Sequence, residues 1–178
     1  MGNLLRTKRN KRIGILCLGV LLAALSCKQP LPTHQLQVLP DHCLKTTDTL
    51  YFSAPLLEES ARYRIALTAR TDHRLEDPFW SLRIRATAPS GQSYEETIEL
   101  PLDANTIDAY QHQCLKNRQE PAITVITTRS GNDLTWLYRT GIQPIETGLW
   151  EIAIYCNTQE PISGLHCLGL ICTAEQNE

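Results

Sequence analysis

Seven cysteines and five histidines carry most of the chemistry this chain offers, and Cys27 stands apart from the rest. It follows Ser26 at the end of an apolar run, Ile13 to Leu25, which itself follows Arg6, Lys8, Arg9, Lys11 and Arg12. A cationic stretch, an apolar stretch and a small residue are the layout of a secretory signal peptide. Thirteen residues make about 20 Å of helix, short of a hydrocarbon core of about 30 Å. Residues 1–26 therefore read as a leader that is removed. A cysteine at the cut gives lipoprotein processing a thiol for diacylglycerol and, once freed, an amine for a further acyl chain. Ala24-Leu25-Ser26-Cys27 resembles the lipobox at which that happens, with Ala24 in place of the commoner Leu. Cys17 lies inside the unfinished apolar run behind bulky Leu16 and does not fit the part.

The other reactive residues give weaker patterns. His42-Cys43, His112-Gln-Cys114 and His166-Cys167 place imidazole near thiol, but a structural zinc site needs about four converging ligands. Adjacent strand residues face opposite sides, so only His112 and Cys114 share a face, and only if that segment is extended. No metal is expected. No Gly-x-Ser-x-Gly elbow and no phosphate-cradling glycine loop occurs. The cluster Asp72-His73-Arg74-Leu75-Glu76-Asp77 holds carboxylates and a base but precedes Pro78 and reads as a solvated connector. No catalytic residue is assigned, and a non-enzyme without a cofactor is expected. Trp80 and Trp150 fall in phase with aliphatic neighbours and belong to a core. Trp136 and Tyr138, near the turn at Gly131, are the aromatic pair that could contact a ligand or partner.

The elements that would position these residues are short strands. From Asp48 onward apolar residues alternate with polar ones. Tyr63, Ile65, Leu67 and Ala69 share one face, as do Trp80, Leu82, Ile84 and Ala86, and Trp150, Ile152, Ile154 and Cys156. Further strands are expected at 49–53, 94–102, 122–128, 134–138 and 165–172, with turns at Pro89-Ser90-Gly91 and Ser130-Gly131-Asn132-Asp133. Residues 103–119 could form a helix capped by Asp103 or Asn105, or a long loop, and Pro121 ends either. The fold class is all-β, an antiparallel β-sandwich of jelly-roll or immunoglobulin-like type with seven or eight strands. Three prolines between Lys28 and Thr47 suggest a flexible, lipidated tether over 27–47 ahead of a sandwich domain over 48–178. A terminal hairpin turning between Pro161 and Ile162 would set Cys156 opposite Cys167, as a buried pair of thiols in preference to a strained bridge.

Removal of the leader changes the charge. Five of the seventeen Lys and Arg lie in it and none of the nineteen acids, so residues 27–178 carry 12 bases and 19 acids, a net charge of −7 with His neutral. An acidic body without a basic stripe does not attract phosphate backbones, which excludes nucleic-acid partners. Cys43, Cys114, Cys156, Cys167 and Cys172 remain; five is odd, and their pairing is open.

Asp48-Thr-Leu-Tyr-Phe52, Tyr63 to Arg70 followed by Phe79-Trp80-Ser-Leu82, Ala88-Pro-Ser-Gly91, Glu96-Thr-Ile-Glu-Leu100, and Gly148 to Ile154 with Ile162 to Leu165 and Leu168 to Ile171 occur in an informative order. Together they resemble the GldH family of gliding-motility lipoproteins of Bacteroidetes. Residues 103–146 depart from that family's Gly-x-Trp-x-Gly-x-Gly stretch. The resemblance implies an outer-membrane lipoprotein that docks with envelope proteins of the gliding or type IX secretion machinery; Lys28-Gln29-Pro30 carries no acidic residue after Cys27, which reads as periplasm-facing. The alternative reading is a periplasmic or surface glycan- or peptide-binding sandwich with Trp136 and Tyr138 as its platform.

The acylated thiol is directly testable. Cys27→Ala is expected to abolish incorporation of a radioactive fatty acid and to release the protein into the soluble fraction. Persistent labelling would assign the anchor to another cysteine.

Overall fold

The computed structural model describes residues 32–73, 75, 77–116 and 123–175. The leader, Cys17 and Cys27 lie outside them. Among the described residues, no helix is long and apolar enough to cross a membrane.

Alternation of buried and exposed side chains builds the fold strand by strand. In β4 (Arg62–Thr71), β5 (Phe79–Thr87) and β9 (Gly148–Cys156) every second residue turns inward, because a pleated strand sends successive side chains to opposite faces. These strands are joined by β1 (Thr33–Val38), β2 (Cys43–Leu44), β3 (Thr49–Leu56), β6 (Ser93–Pro101), β7 (Ile123–Thr128), β8 (Gly131–Ile142), β10 (Ile162–Ser163) and β11 (Leu165–Glu175). They form a five-stranded sheet of order β1-β11-β4-β8-β7, a four-stranded sheet of order β3-β9-β5-β6, and a small β2–β10 ribbon, all antiparallel. The apolar faces of both large sheets meet in one core, with Leu67, Leu82, Ile154, Leu168 and Leu170 almost wholly buried. The protein is an all-β sandwich, with eleven strands among the described residues rather than seven or eight.

Two departures from the sequence expectation have physical causes. The expected tether is part of the domain from Pro32 onward: β1 runs along β11 from Thr33↔Cys172 to Val38↔Cys167. The side chain of Gln35 bonds both the N–H and the carbonyl of Ser53 at 2.8 Å, which ties β1 to the edge of the opposite sheet. The expected terminal hairpin does not form either. β9 pairs with β3 and β5 while β11 pairs with β1 and β4, so Cys156 and Cys167 lie in different sheets. The connection is long enough to contribute β10 to the small ribbon instead. Cys43, Cys156, Cys167 and Cys172 are free thiols, and burial pushes the pKa of Cys172 up to about 11. Of the two forms open to residues 103–119, the helix is the one adopted, α1 over Ala104–Lys116. Asp103 caps it by accepting the Thr106 N–H at 2.6 Å, and that bond holds its carboxylate below the usual range.

The β7–β8 turn shows how tightly the sheet is drawn. Gly131 has φ 146°, and a Cβ there would sit 1.9 Å from the Thr71 carbonyl oxygen, so no other residue fits between β8 and the end of β4.

Trp80 is 2 % exposed and Trp150 7 %, and the rings of Trp80 and Trp136 meet at 6.1 Å and 52° across the core. Trp80→Ala or Trp150→Ala is expected to lower stability by about 3–5 kcal/mol in denaturant unfolding. An unchanged midpoint would remove either ring from the core.

Candidate functional site

Tyr138 lies on β8 two residues beyond Trp136, so both point inward from the five-stranded sheet, but they meet different surroundings. Trp136 is 2 % exposed and donates its indole N–H to the Pro101 carbonyl at 3.0 Å. It is a strut between the two sheets and not an exposed stacking surface, which corrects the contact expectation for Trp136. Tyr138 lies farther toward the end of the sandwich, half-buried, where its hydroxyl donates to Glu96 on β6. Arg139 forms an ion pair with the same carboxylate and lies 4.8 Å above the Tyr138 ring. Burial first, and then the bond to Glu96, hold the Tyr138 hydroxyl well above the usual tyrosine range.

This trio forms one rim of a cavity of about 290 Å³ between the two sheets. The walls come from both layers: Ile65 on β4, Ala86 on β5, and Trp150 and Ile152 on β9, with Ile145 of the β8–β9 connection at the mouth. Ile145 is 73 % exposed, an unusual position for a large apolar side chain. Tyr94 and Trp150 line the same cavity with their rings stacked at 6.1 Å and 22°. The aromatic pair at this end of the molecule is therefore Tyr94–Trp150. The sequence placed Trp150 correctly in the core, but Tyr94 carries no signal beyond its position after a turn. Glu96 and Arg139 escaped notice because each lies in an ordinary alternating strand, and their pairing crosses between sheets.

Chemically, the cavity offers an apolar, aromatic surface whose rim charges are already matched to one another. Such a surface takes apolar groups and leaves the rim to bond a polar end.

The residues weighed for metal binding are distributed differently. His112 lies in α1, so the extended spacing that would have aligned it with Cys114 does not arise; its partner is Asp108, one turn earlier, at 3.6 Å. Among the described residues, three metal-binding side chains meet at His42, Asp72 and His166. The sequence contained all three but paired each histidine with its neighbouring cysteine.

The raised pKa of Tyr138 gives a pH signature. A folded value above the unfolded value of about 10 means that the proton contributes stability in full below pH 10. That contribution is lost progressively as pH rises beyond it toward the folded value. Tyr138→Phe is expected to lower stability by about 1–2 kcal/mol at neutral pH, with the gap to wild type closing in strong base. Unfolding measured from pH 7 to 12 would show a gap that is flat to about pH 10 and narrows above it, and a gap unchanged above pH 10 would contradict the assignment.

No family model and no curated protein matches the chain. Among solved structures, the Yersinia pseudotuberculosis-derived mitogen is similar at 9% identity and a TM-score of 0.32, covering 84% of this chain and 90% of that one. Dimeric latent PorU from Porphyromonas gingivalis is similar at 7% identity and a TM-score of 0.32, covering 81% of this chain and 13% of that one. Likenesses this distant carry no argument about fold or function.

Proposed function

We propose that this is a lipid-anchored protein of the bacterial cell envelope that works by docking rather than by catalysis, in the setting that its resemblance to the GldH lipoproteins implies. The observation that carries the docking reading is the open cavity at the end of the sandwich. Its aromatic wall, Tyr94 and Trp150, and its exposed lip, Ile145, form the kind of concave apolar surface that receives an anchor side chain from a partner protein. The rim trio of Glu96, Tyr138 and Arg139 would bond the partner's backbone beside that anchor.

The anchor and the domain are close in sequence. Five residues separate Cys27 from Thr33 in the sequence, a reach of about 20 Å at full extension. With Trp136 buried, Trp136 and Tyr138 do not form the platform that the glycan- or peptide-binding alternative assigned to them.

Ala86 offers the test. Its methyl group lies on the cavity wall, and Ala86→Trp would occupy the space. Envelope proteins that co-purify with the tagged wild-type chain are expected to be lost from this variant and retained by Val125→Lys, an exposed change on β7 away from the cavity. Equal co-purification with wild type and Ala86→Trp would reject the cavity as the docking site.

A further inference from the structure

His42, Asp72 and His166 come from three separate parts of the chain and are held together by backbone. His42 ends the 3-10 turn Pro40–His42 after β1, Asp72 follows β4, and His166 is the second residue of β11. The Leu39 N–H donates to the His166 carbonyl at 2.8 Å, which fixes the turn on β11. The Asp72 N–H donates to the Gly164 carbonyl at 2.9 Å, which fixes the end of β4 on the same stretch. The three side chains then converge. His166 Nε2 lies 2.7 Å from Asp72 Oδ1, the two imidazoles stack with centroids 3.8 Å apart and planes at 20°, and the three donor atoms lie within 4.8 Å of one another.

Two features favour a cation at this point. The backbone reaches it at a cost: Asp41 and His42 take φ 56° and 51°, and two consecutive left-handed residues other than glycine are disfavoured by about 1–2 kcal/mol each. That turn brings the His42 ring back over His166. Secondly, Asp72 lines a cleft of about 370 Å³ whose walls also carry Asp77 and Glu160. A cleft with three carboxylates draws a cation toward the pair of imidazoles.

We infer that His42, Asp72 and His166 form a binding site for one divalent transition-metal ion of the zinc type. Two imidazoles and one carboxylate are a donor set suited to Zn²⁺ and to its first-row neighbours, and three protein ligands leave a further position open to water. Ligand atoms about 2.0–2.2 Å from a tetrahedral ion stand about 3.4 Å apart. The present donors need side-chain shifts of about 1 Å to reach that spacing, which rotation of His42 and Asp72, both exposed, supplies. Metal binding at His166 Nε2 opens its hydrogen bond to Asp72 Oδ1, and the proton on that nitrogen moves to Nδ1 or to solvent.

Zn²⁺ alone, titrated calorimetrically into the metal-stripped full chain in detergent, tests the site. One equivalent is expected to bind. His42→Gln, Asp72→Asn and His166→Gln should each weaken it by at least about tenfold, while Cys43→Ser leaves it unchanged. Co²⁺ in the same site should give a visible absorption spectrum that disappears in His42→Gln. His42 is exposed, so this variant carries the test even if His166→Gln fails to accumulate. Absence of binding, undiminished binding in His42→Gln and Asp72→Asn, or loss of binding in Cys43→Ser would overturn the assignment.

Discussion

The side-chain amide of Gln35 does the work of a backbone group. It donates to the Ser53 carbonyl and accepts from the Ser53 N–H, both at 2.8 Å, so β3 gains on its open edge the pair of bonds that another strand would have supplied. Gln37 repeats the device by donating to the Tyr51 carbonyl. An unpaired edge strand invites pairing with foreign chains. Here the open edge of the four-stranded sheet is bonded by side chains from the edge strand of the five-stranded sheet, which ties the two layers together along that side. The consequence runs through the molecule. β1 must sit against β11 for Gln35 to reach Ser53, and the turn after β1 is thereby delivered to His166.

The same arrangement explains why β1 was invisible in the sequence while β4, β5 and β9 were not. Those three strands obey the rule that apolar residues face in, so alternation of residue type reports the pleat. In β1 the rule is inverted. Leu36 is 52 % and Val38 78 % exposed, while Thr33, Gln35 and Gln37 face the opposite sheet. A strand whose inward residues are hydrogen-bonding amides has the composition of a linker, and the prolines on both sides reinforced that reading. The cost of turning polar side chains inward is offset because each meets backbone partners, the condition under which burial of an amide is tolerated.

Pairing between distant strands was the other thing the sequence withheld. The residues of β9 and β11 were legible as strands, and the turn chemistry of Pro161 and Gly164 was real. Turn residues report that the chain bends and not which sheet it bends into. A hairpin and a crossover use the same local signals, and the choice is made by β11 finding β1 and β4. The cavity and the histidine cluster inherit that limit. Glu96 and Tyr138 are 42 residues apart, and His166 and Asp72 are 94 apart. Neither pair has any spacing that a local pattern can express, whereas Trp80 and Trp150 needed only their own strand's alternation to be placed.

Closure of one side and openness at one end divide the molecule's tasks. The β1–β3 side is sealed by amide-to-backbone bonds, and the strut from Trp136 to Pro101 holds the layers together deep in the core. Beyond that strut, the layers separate enough to leave the cavity, and the bonds that still cross it, from Tyr138 and Arg139 to Glu96, are polar and lie at its rim. The cavity walls are themselves part of the core: Ile65, Trp150 and Ile152 belong to the buried cluster. An apolar group entering there would extend that cluster outward, while the Trp136 strut holds the layers together deeper in. The opening is therefore continuous with the packing, and the side chains that stabilise this end of the sandwich are the ones that line it.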